Sequence, residues 1–312
     1  MIVPVFNGAS TIRKCLELIL VQDYPSELFE IIVIDNNSSD NTVEIIKNIK
    51  NVNLVYQTEF QNSYATRNYG ISLAKGRIIV FTDTDCLPEY NWLTEIIKPF
   101  ENSEIQAVGG MVLDVEPTND VERFLQEINP LRDYTKSPDQ YLKLLITANL
   151  AVRKSAIDKI NGFRARLYTG ADIDFAWRLQ MKLGDCIDYN PQAIVYHKHR
   201  SSLKGLFRQY RRHGFGEIVL DAIYQNQPGY PRTRSFQRGR FFRQLLALIT
   251  YVGSFIIRIV KYPGAKERYH FIKPILWFTA ESGNVWGKLQ ALWATRFLTA
   301  NPLDKQWIDP GG

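Results

Sequence analysis

Two carboxylates one residue apart follow an apolar run at Arg77-Ile78-Ile79-Val80-Phe81-Thr82-Asp83-Thr84-Asp85. An unpaired carboxylate is costly inside a strand, so Asp83 and Asp85 belong where the chain leaves a sheet. Two acids there suit a hard cation, Mg2+ or Mn2+, held by one or two carboxylates together with substrate phosphates. A turn that merely favours Asp is the competing reading. Asp172, in Gly170-Ala171-Asp172-Ile173-Asp174, falls in the N-terminal turn of a helix carrying Phe175, Arg178 and Leu179. It reads either as an N-cap or as a general base held at a fixed height over a substrate. His197 and His199 follow the apolar residues 193–196, and on a strand both would face one side, as metal ligands can. Asn149 interrupts the apolar run 144–152 and reads as a core hydrogen-bond link or as a ligand contact.

These residues need a scaffold, and apolar periodicity supplies one. Residues 2–6, 30–35, 52–56 and 77–82 read as strands. Helices are expected after Ser10 as N-cap, after the Asn36–Asp40 cluster, over 64–75 and around Trp92–Phe100. Strands alternating with helices of this length indicate βαβ units, hence a doubly wound, mostly parallel α/β sheet. Two of the strands end in carboxylates, Asp35 and Asp83, which would share one rim. Ligands bind at such rims. Residues 105–115 suggest one or two strands and 120–128 a short helix.

Bulk properties narrow the classes. The 312 residues are 45% hydrophobic and 22% charged, with net charge +6. Residues 200–312 hold 18 Lys and Arg against 6 Asp and Glu, while the preceding residues hold 20 against 26. The chain therefore changes character near Arg200. Cys15, Cys86 and Cys186 show neither zinc spacing nor a Cys-x-x-Cys pair, which suits a reducing compartment and a cytoplasmic location. Met1 runs directly into the first strand with no signal peptide ahead of it; the abrupt start suits a strand that has lost residues upstream. A Gly-x-Gly-x-x-Gly and a Walker-type loop are both missing, so any phosphates would need a metal and basic side chains.

Taken together, the order Val3-Pro4-Val5-Phe6-Asn7, Val33-Ile34-Asp35 through Thr42, Ala65-Thr66-Arg67-Asn68, Thr82-Asp83-Thr84-Asp85, Asn149 to Arg153, Asn161-Gly162-Phe163, Gly170 to Leu179 and His197 resembles the family 2 glycosyltransferases of GT-A fold. The resemblance covers residues 2–199. It implies a nucleotide-binding half (1–110), an acceptor-side half (111–200) and a helical C-terminal region (201–312). It further implies that Pro4, Val5, Asn7, Asp35, Arg67, Asp83 and Asn149 bind a UDP- or GDP-sugar. Asp85, with Asp83 and His197, would hold Mg2+ or Mn2+, and Asp172 would be the catalytic base of an inverting transfer to a saccharide or lipid-linked acceptor. Asp174, Gln209, Arg211 and Arg212 would serve the acceptor or the diphosphate. Two positions depart from the pattern: Asn36 and Ala171 stand where the family often has acids. A nucleotidyltransferase and a noncatalytic nucleotide- or sugar-binding subunit at a membrane are the alternatives.

Beyond Arg200, residues 202–216 read as a basic amphipathic helix ended by glycine, and 225–240 as a mobile loop. Residues 245–257 are 13 uncharged residues, short of the roughly 20 that span a bilayer. A buried helix or an interfacial one flanked by cations fits them. For the aromatic stretches 271–280 and 286–298, peripheral contact with the cytoplasmic face of a membrane and packing of helices in a C-terminal cap both remain open. Nucleic acid is not expected as a partner, since no nucleic-acid motif accompanies the basic residues.

Overall fold

A computed structural model describes residues 1–59, 61–128, 141–231, 238–261 and 268–296. The centre of the loop expected over 225–240 and the end of the aromatic stretch 286–298 lie outside the described residues. Those residues fall into two compact units, one drawn from Met1–Val115, Pro130–Ala165 and Ala171–Lys198, the other from Glu116–Asn129, Arg166–Gly170 and His199–Gly312.

The first unit is built on eight strands: β1 (Ile2–Val5), β2 (Ile32–Asp35), β3 (Asn53–Tyr56), β4 (Ile78–Thr82), β5 (Cys86–Pro88), β6 (Ala107–Asp114), β7 (Asn149–Arg153) and β8 (Ile187–His197). Their order in the sheet is β3-β2-β1-β4-β7-β6-β8-β5. The first three pairings along that order, up to β1 with β4, are all parallel, as the βαβ pattern requires. Past β4 the sheet turns mixed: β7 runs antiparallel to both β4 and β6, β6 runs parallel to β8, and β5 runs antiparallel to β8. The boundary expected at 110/111 falls inside β6, so both halves share one sheet.

Alternation along the strands explains the two covered faces. Val3, Val5 and Val33 point into a core with Ile12, Leu16 and Ile19 of α1 (Ile12–Leu20) and Trp92, Leu93 and Ile96 of α4 (Trp92–Ile97). Ile2 and Ile34 point the other way, against α3 (Ser63–Leu73), where a Cβ on Gly70 would come within 2.9 Å of both side chains. All of these isoleucines and valines are buried, and each contributes roughly 1.5–3 kcal/mol of transfer free energy. Ser10 is not the cap of α1. The Gly8 carbonyl accepts from the amides of Thr11 and Ile12, Thr11 takes the cap position, and the helix starts one residue later than expected. α2 (Thr42–Lys47), α6 (Lys154–Lys159) and α7 (Ala171–Leu183) complete the unit.

The second unit holds α5 (Asp120–Glu127), α8 (Leu203–Tyr224), α9 (Arg238–Lys261) and α10 (Arg268–Arg296). Here one expectation fails: the basic helix does not stop at Gly214 or Gly216 but runs on to Tyr224. The glycines are packing positions. A Cβ on Gly214 would sit 2.1 Å from the Asn284 carbonyl oxygen, one on Gly283 2.4 Å from that of Phe207, and one on Gly287 1.9 Å from that of Arg211. Backbones this close leave no room for alanine, so α8 and α10 touch only because these positions lack a side chain. Around this contact Leu206, Leu276 and Ala280 are buried with Phe124 and Leu125 of α5. The apolar stretch 245–257 lies in α9 and is not buried: Ile249 is 71% exposed and Ile256 55%. No helix among the described residues is long and apolar enough to cross a membrane.

Candidate active site at the rim of the sheet

Parallel pairing of β1 with β2 sets Val5 beside Asp35 at the carboxyl end of both strands. Pro4 and Val5 are buried, and the Val5 side chain belongs to the core. The Val5 carbonyl accepts from the Asn36 amide (2.8 Å). Asn7 takes the left-handed conformation (φ 51°), and its Oδ1 accepts from the Ser39 amide at 2.8 Å, tying the end of β1 to the turn after β2. Asp35 is 2% exposed; its Oδ2 accepts from the Ser38 amide (3.1 Å), while Oδ1 is buried without a hydrogen-bond partner. An orphaned carboxylate oxygen at this rim is suited to a ligand hydroxyl or N–H donor.

β4 ends with the Thr82 hydroxyl donating to the Ala148 carbonyl (2.9 Å), and the Cys86 amide closes the following turn onto the Asp83 carbonyl (3.1 Å). Asp83 forms an ion pair with Arg67 of α3, which is buried and whose Nε has no hydrogen-bond partner. Antiparallel pairing of β5 with β8 places Cys86 opposite His197, so Asp85 and His197 become neighbours. Their Oδ2 and Nε2 atoms lie 3.8 Å apart, each side chain 15% exposed. Among the described residues no group of three or more His, Cys, Asp or Glu could hold a metal. A carboxylate and an imidazole are nevertheless an acceptable partial set for Mg2+ or Mn2+, which take their other positions from phosphate and water. The three cysteines are free and buried. Burial, followed by the charges of Asp85 and Asp83, pushes the Cys15 and Cys86 thiols up, so both remain neutral packing groups below the acidic turn.

α7 supplies two acids with opposite surroundings. Asp172 is a first-turn residue whose Oδ1 accepts from the Ile173 amide (3.0 Å) and from the Tyr64 hydroxyl (3.3 Å). Burial pushes its carboxyl above the usual range, against the pull of the Ile173 amide, the Arg67 charge and the Tyr64 hydroxyl. Asp174 is fully buried and accepts from Arg164 Nη1 (2.6 Å) and Arg178 Nε (2.8 Å). The acceptor role expected for Asp174 is therefore corrected: two residues along a helix is a rotation of about 200°, which turns it into the core as an ion-pair clamp. Asn149 is corrected in the same way. It is fully buried, accepts from Trp92 Nε1 (2.8 Å) and donates to the Met111 and Ala193 carbonyls (2.8 Å each), so it is the core link rather than a ligand contact.

One further placement differs from expectation. β8 ends at His197, so strand alternation does not extend to His199, which is buried in the second unit. Gln209, Arg211 and Arg212 lie on α8: the Arg212 guanidinium is 5.1 Å from the Tyr168 ring centroid, and the Arg211 carbonyl is where Gly287 packs. The residue that sequence reasoning missed is Tyr64. Its ring stacks on Phe163 (5.9 Å), which stacks on Phe175 of α7 (4.3 Å), and the Arg67 guanidinium lies 5.6 Å from its centroid. One helix face, at positions i and i+3, thus reaches Asp172 through Tyr64 and Asp83 through Arg67. That spacing was available as a signal.

The family model for glycosyl transferase family 2 matches residues 1–160. Glycosyltransferase AglE of Haloferax volcanii is 32% identical over 72% of this chain and 75% of its own length. The dolichyl N-acetyl-alpha-D-glucosaminyl phosphate 3-beta-D-2,3-diacetamido-2,3-dideoxy-beta-D-glucuronosyltransferase of Methanococcus voltae is 25% identical over 70% of this chain and 73% of its own. A mannosyltransferase of Pyrobaculum calidifontis, solved in complex with GDP-Man and Mn2+, superposes with a TM-score of 0.61 at 19% identity, covering 94% of this chain and 86% of that one. The nucleotidyltransferase and noncatalytic readings are thereby set aside. The chain belongs to glycosyl transferase family 2, and it is a glycosyltransferase of GT-A fold.

Proposed function

We propose that this glycosyltransferase moves a sugar from a UDP- or GDP-sugar to the hydroxyl of a saccharide or lipid-linked acceptor in one displacement that inverts the anomeric carbon. The observation that carries the reading is the pair of acids bound to one face of α3: Asp83 through Arg67, and Asp172 through Tyr64. Asp172 is the general base. Its carboxylate takes the acceptor hydroxyl proton as the oxygen bonds to the anomeric carbon, and the bond to the diphosphate breaks with its electron pair leaving on phosphate. The raised carboxyl makes it a stronger base than an exposed aspartate. Asp35, with its orphaned Oδ1, binds the base or ribose, and Pro4, Val5 and Asn7 form the floor of that pocket. Asp83 stands nearer the ribose or sugar, with Arg67 beside the diphosphate. Asp85 and His197 would hold Mg2+ or Mn2+, whose charge would stabilise the departing diphosphate. Gln209, Arg211 and Arg212 act on the acceptor side. The Pyrobaculum protein's GDP-Man and Mn2+ support donor and metal class, and the dolichyl-linked acceptor named for the Methanococcus enzyme supports a lipid-linked one. The enzyme works in the cytoplasm, in peripheral contact with the membrane.

Asp172→Asn tests this. Donor binding, read as metal-dependent thermal stabilisation by a panel of nucleotide-sugars, is retained, and transfer drops about 10²–10⁴-fold. Unchanged transfer by this variant removes Asp172 as the base.

A further inference from the structure

We infer that α9 lies in the plane of an anionic membrane surface, its apolar stripe among the acyl chains and its cations against headgroup phosphates. This deepens the membrane contact proposed above by naming the surface and its orientation. Phe242, Leu245, Leu246, Ile249, Val252 and Ile256 recur at i, i+3, i+4, i+7, i+10 and i+14, one face of a helix. Every one of them is more than a third exposed, with Phe242 at 61%. The opposite side of α9 faces its neighbour. Gln244 Nε2 donates to Glu281 Oε2 and Asn284 Oδ1 of α10 (3.2 Å each), and the Tyr251 ring stacks on Trp277 (6.1 Å). A Cβ added at Gly253 would meet nothing within 4 Å. Six large apolar side chains in one outward stripe, rimmed by polar residues, are the pattern of an interaction face rather than of scattered surface residues.

Charge selects the occupant. α9 contains no acid, and Arg238, Arg240, Arg243, Arg258 and Lys261 occupy its two ends. A second copy of this basic, acid-free helix would bring like charge to the contact and be repelled, whereas anionic headgroups complement it. The uncharged centre is too short to span, which leaves the in-plane arrangement. On α10, Trp286 (51% exposed) and Trp293 (69%) are side chains of the kind enriched at the membrane–water boundary.

Flotation of the full chain with phosphatidylcholine vesicles, with and without 30 mol% phosphatidylglycerol as the probe composition, tests the surface. Wild type floats with the anionic vesicles and much less with the neutral ones. Leu246→Glu/Ile249→Glu lowers partitioning at least about tenfold, and Arg243→Glu about fivefold, with thermal melting unchanged because all three side chains are exposed. Fluorophores attached in turn to Phe242→Cys, Ile249→Cys and Ile256→Cys are quenched to the same depth by lipid-borne quenchers. Wild type that stays unbound, or a double variant that floats as before, overturns the inference. A depth gradient along 242–256 overturns the in-plane geometry, and a double variant that converts a dimer to a monomer without altering flotation assigns the face to a second copy. Donor hydrolysis measured without lipid reads the transferase assignment separately: its loss with flotation intact sinks that assignment and leaves the surface standing.

Discussion

Polar side chains at the rim of the sheet and in the interior of the same unit have opposite surroundings. In the interior, Asp174 has two arginines and Asn149 has three hydrogen bonds, so every polar demand is met by protein. At the rim, Asp35 keeps an orphaned oxygen and Asp172 is held with its carboxyl pushed up by burial. The lesson is that burial alone does not mark a site. Interior polar groups closed by protein hold the fold, and groups left partly open at the rim are the ones with capacity for a substrate.

The comparison can be broken by substitution. The largest effect belongs to Asp172→Asn, whose transfer rate falls about 10²–10⁴-fold while its melting temperature stays level or rises. The sign follows from linkage: a carboxyl raised in the folded state costs stability once it is ionised, so removing its charge does not weaken the fold at neutral pH. Asp174→Asn does the reverse. It leaves Arg164 and Arg178 facing a neutral amide and costs about 3–5 kcal/mol in denaturant unfolding. Any activity it loses tracks the folded fraction. Should Asp174→Asn remain stable and Asp172→Asn unfold, the rim and interior assignments exchange.

Asn149→Ala orphans Trp92 Nε1 and the Met111 and Ala193 carbonyls, and costs about 1–3 kcal/mol by the same measurement. The smallest effect sharpens the rim. Tyr64→Phe removes a donor to the ionised Asp172, so the carboxyl moves further up and the acid limb of kcat/KM shifts to higher pH. Arg67 is the charged group acting on Asp172 in this setting, and it is retained. A pH profile identical to wild type removes Tyr64 from the positioning of the base.

Much of the sheet unit is legible because its signals are local. Each of the strands β1 to β4 is a short apolar run bounded by a turn, and the acids after β4 must sit outside the sheet whatever the topology. What local reading could not supply is partnership. Arg164 lies ten residues before Asp174, Trp92 lies 57 residues before Asn149, and Tyr64 lies 108 residues before Asp172. In the helical unit, Gly214 and Gly216 carry the local signature of a helix stop. A close backbone contact with α10 at Gly214 makes the small residue necessary in mid-helix instead.

By itself the sequence determined the βαβ order, the acidic turn after β4, the first-turn placement of Asp172 and the basic character beyond Arg200, since propensity, period and charge act within a few residues. Only the tertiary structure decided which polar groups are closed off, where β7 inserts between β4 and β6, and that the apolar stripe of α9 is outward. Those outcomes depend on groups brought together from distant segments, and desolvation acts on the assembled neighbourhood rather than on the residue alone.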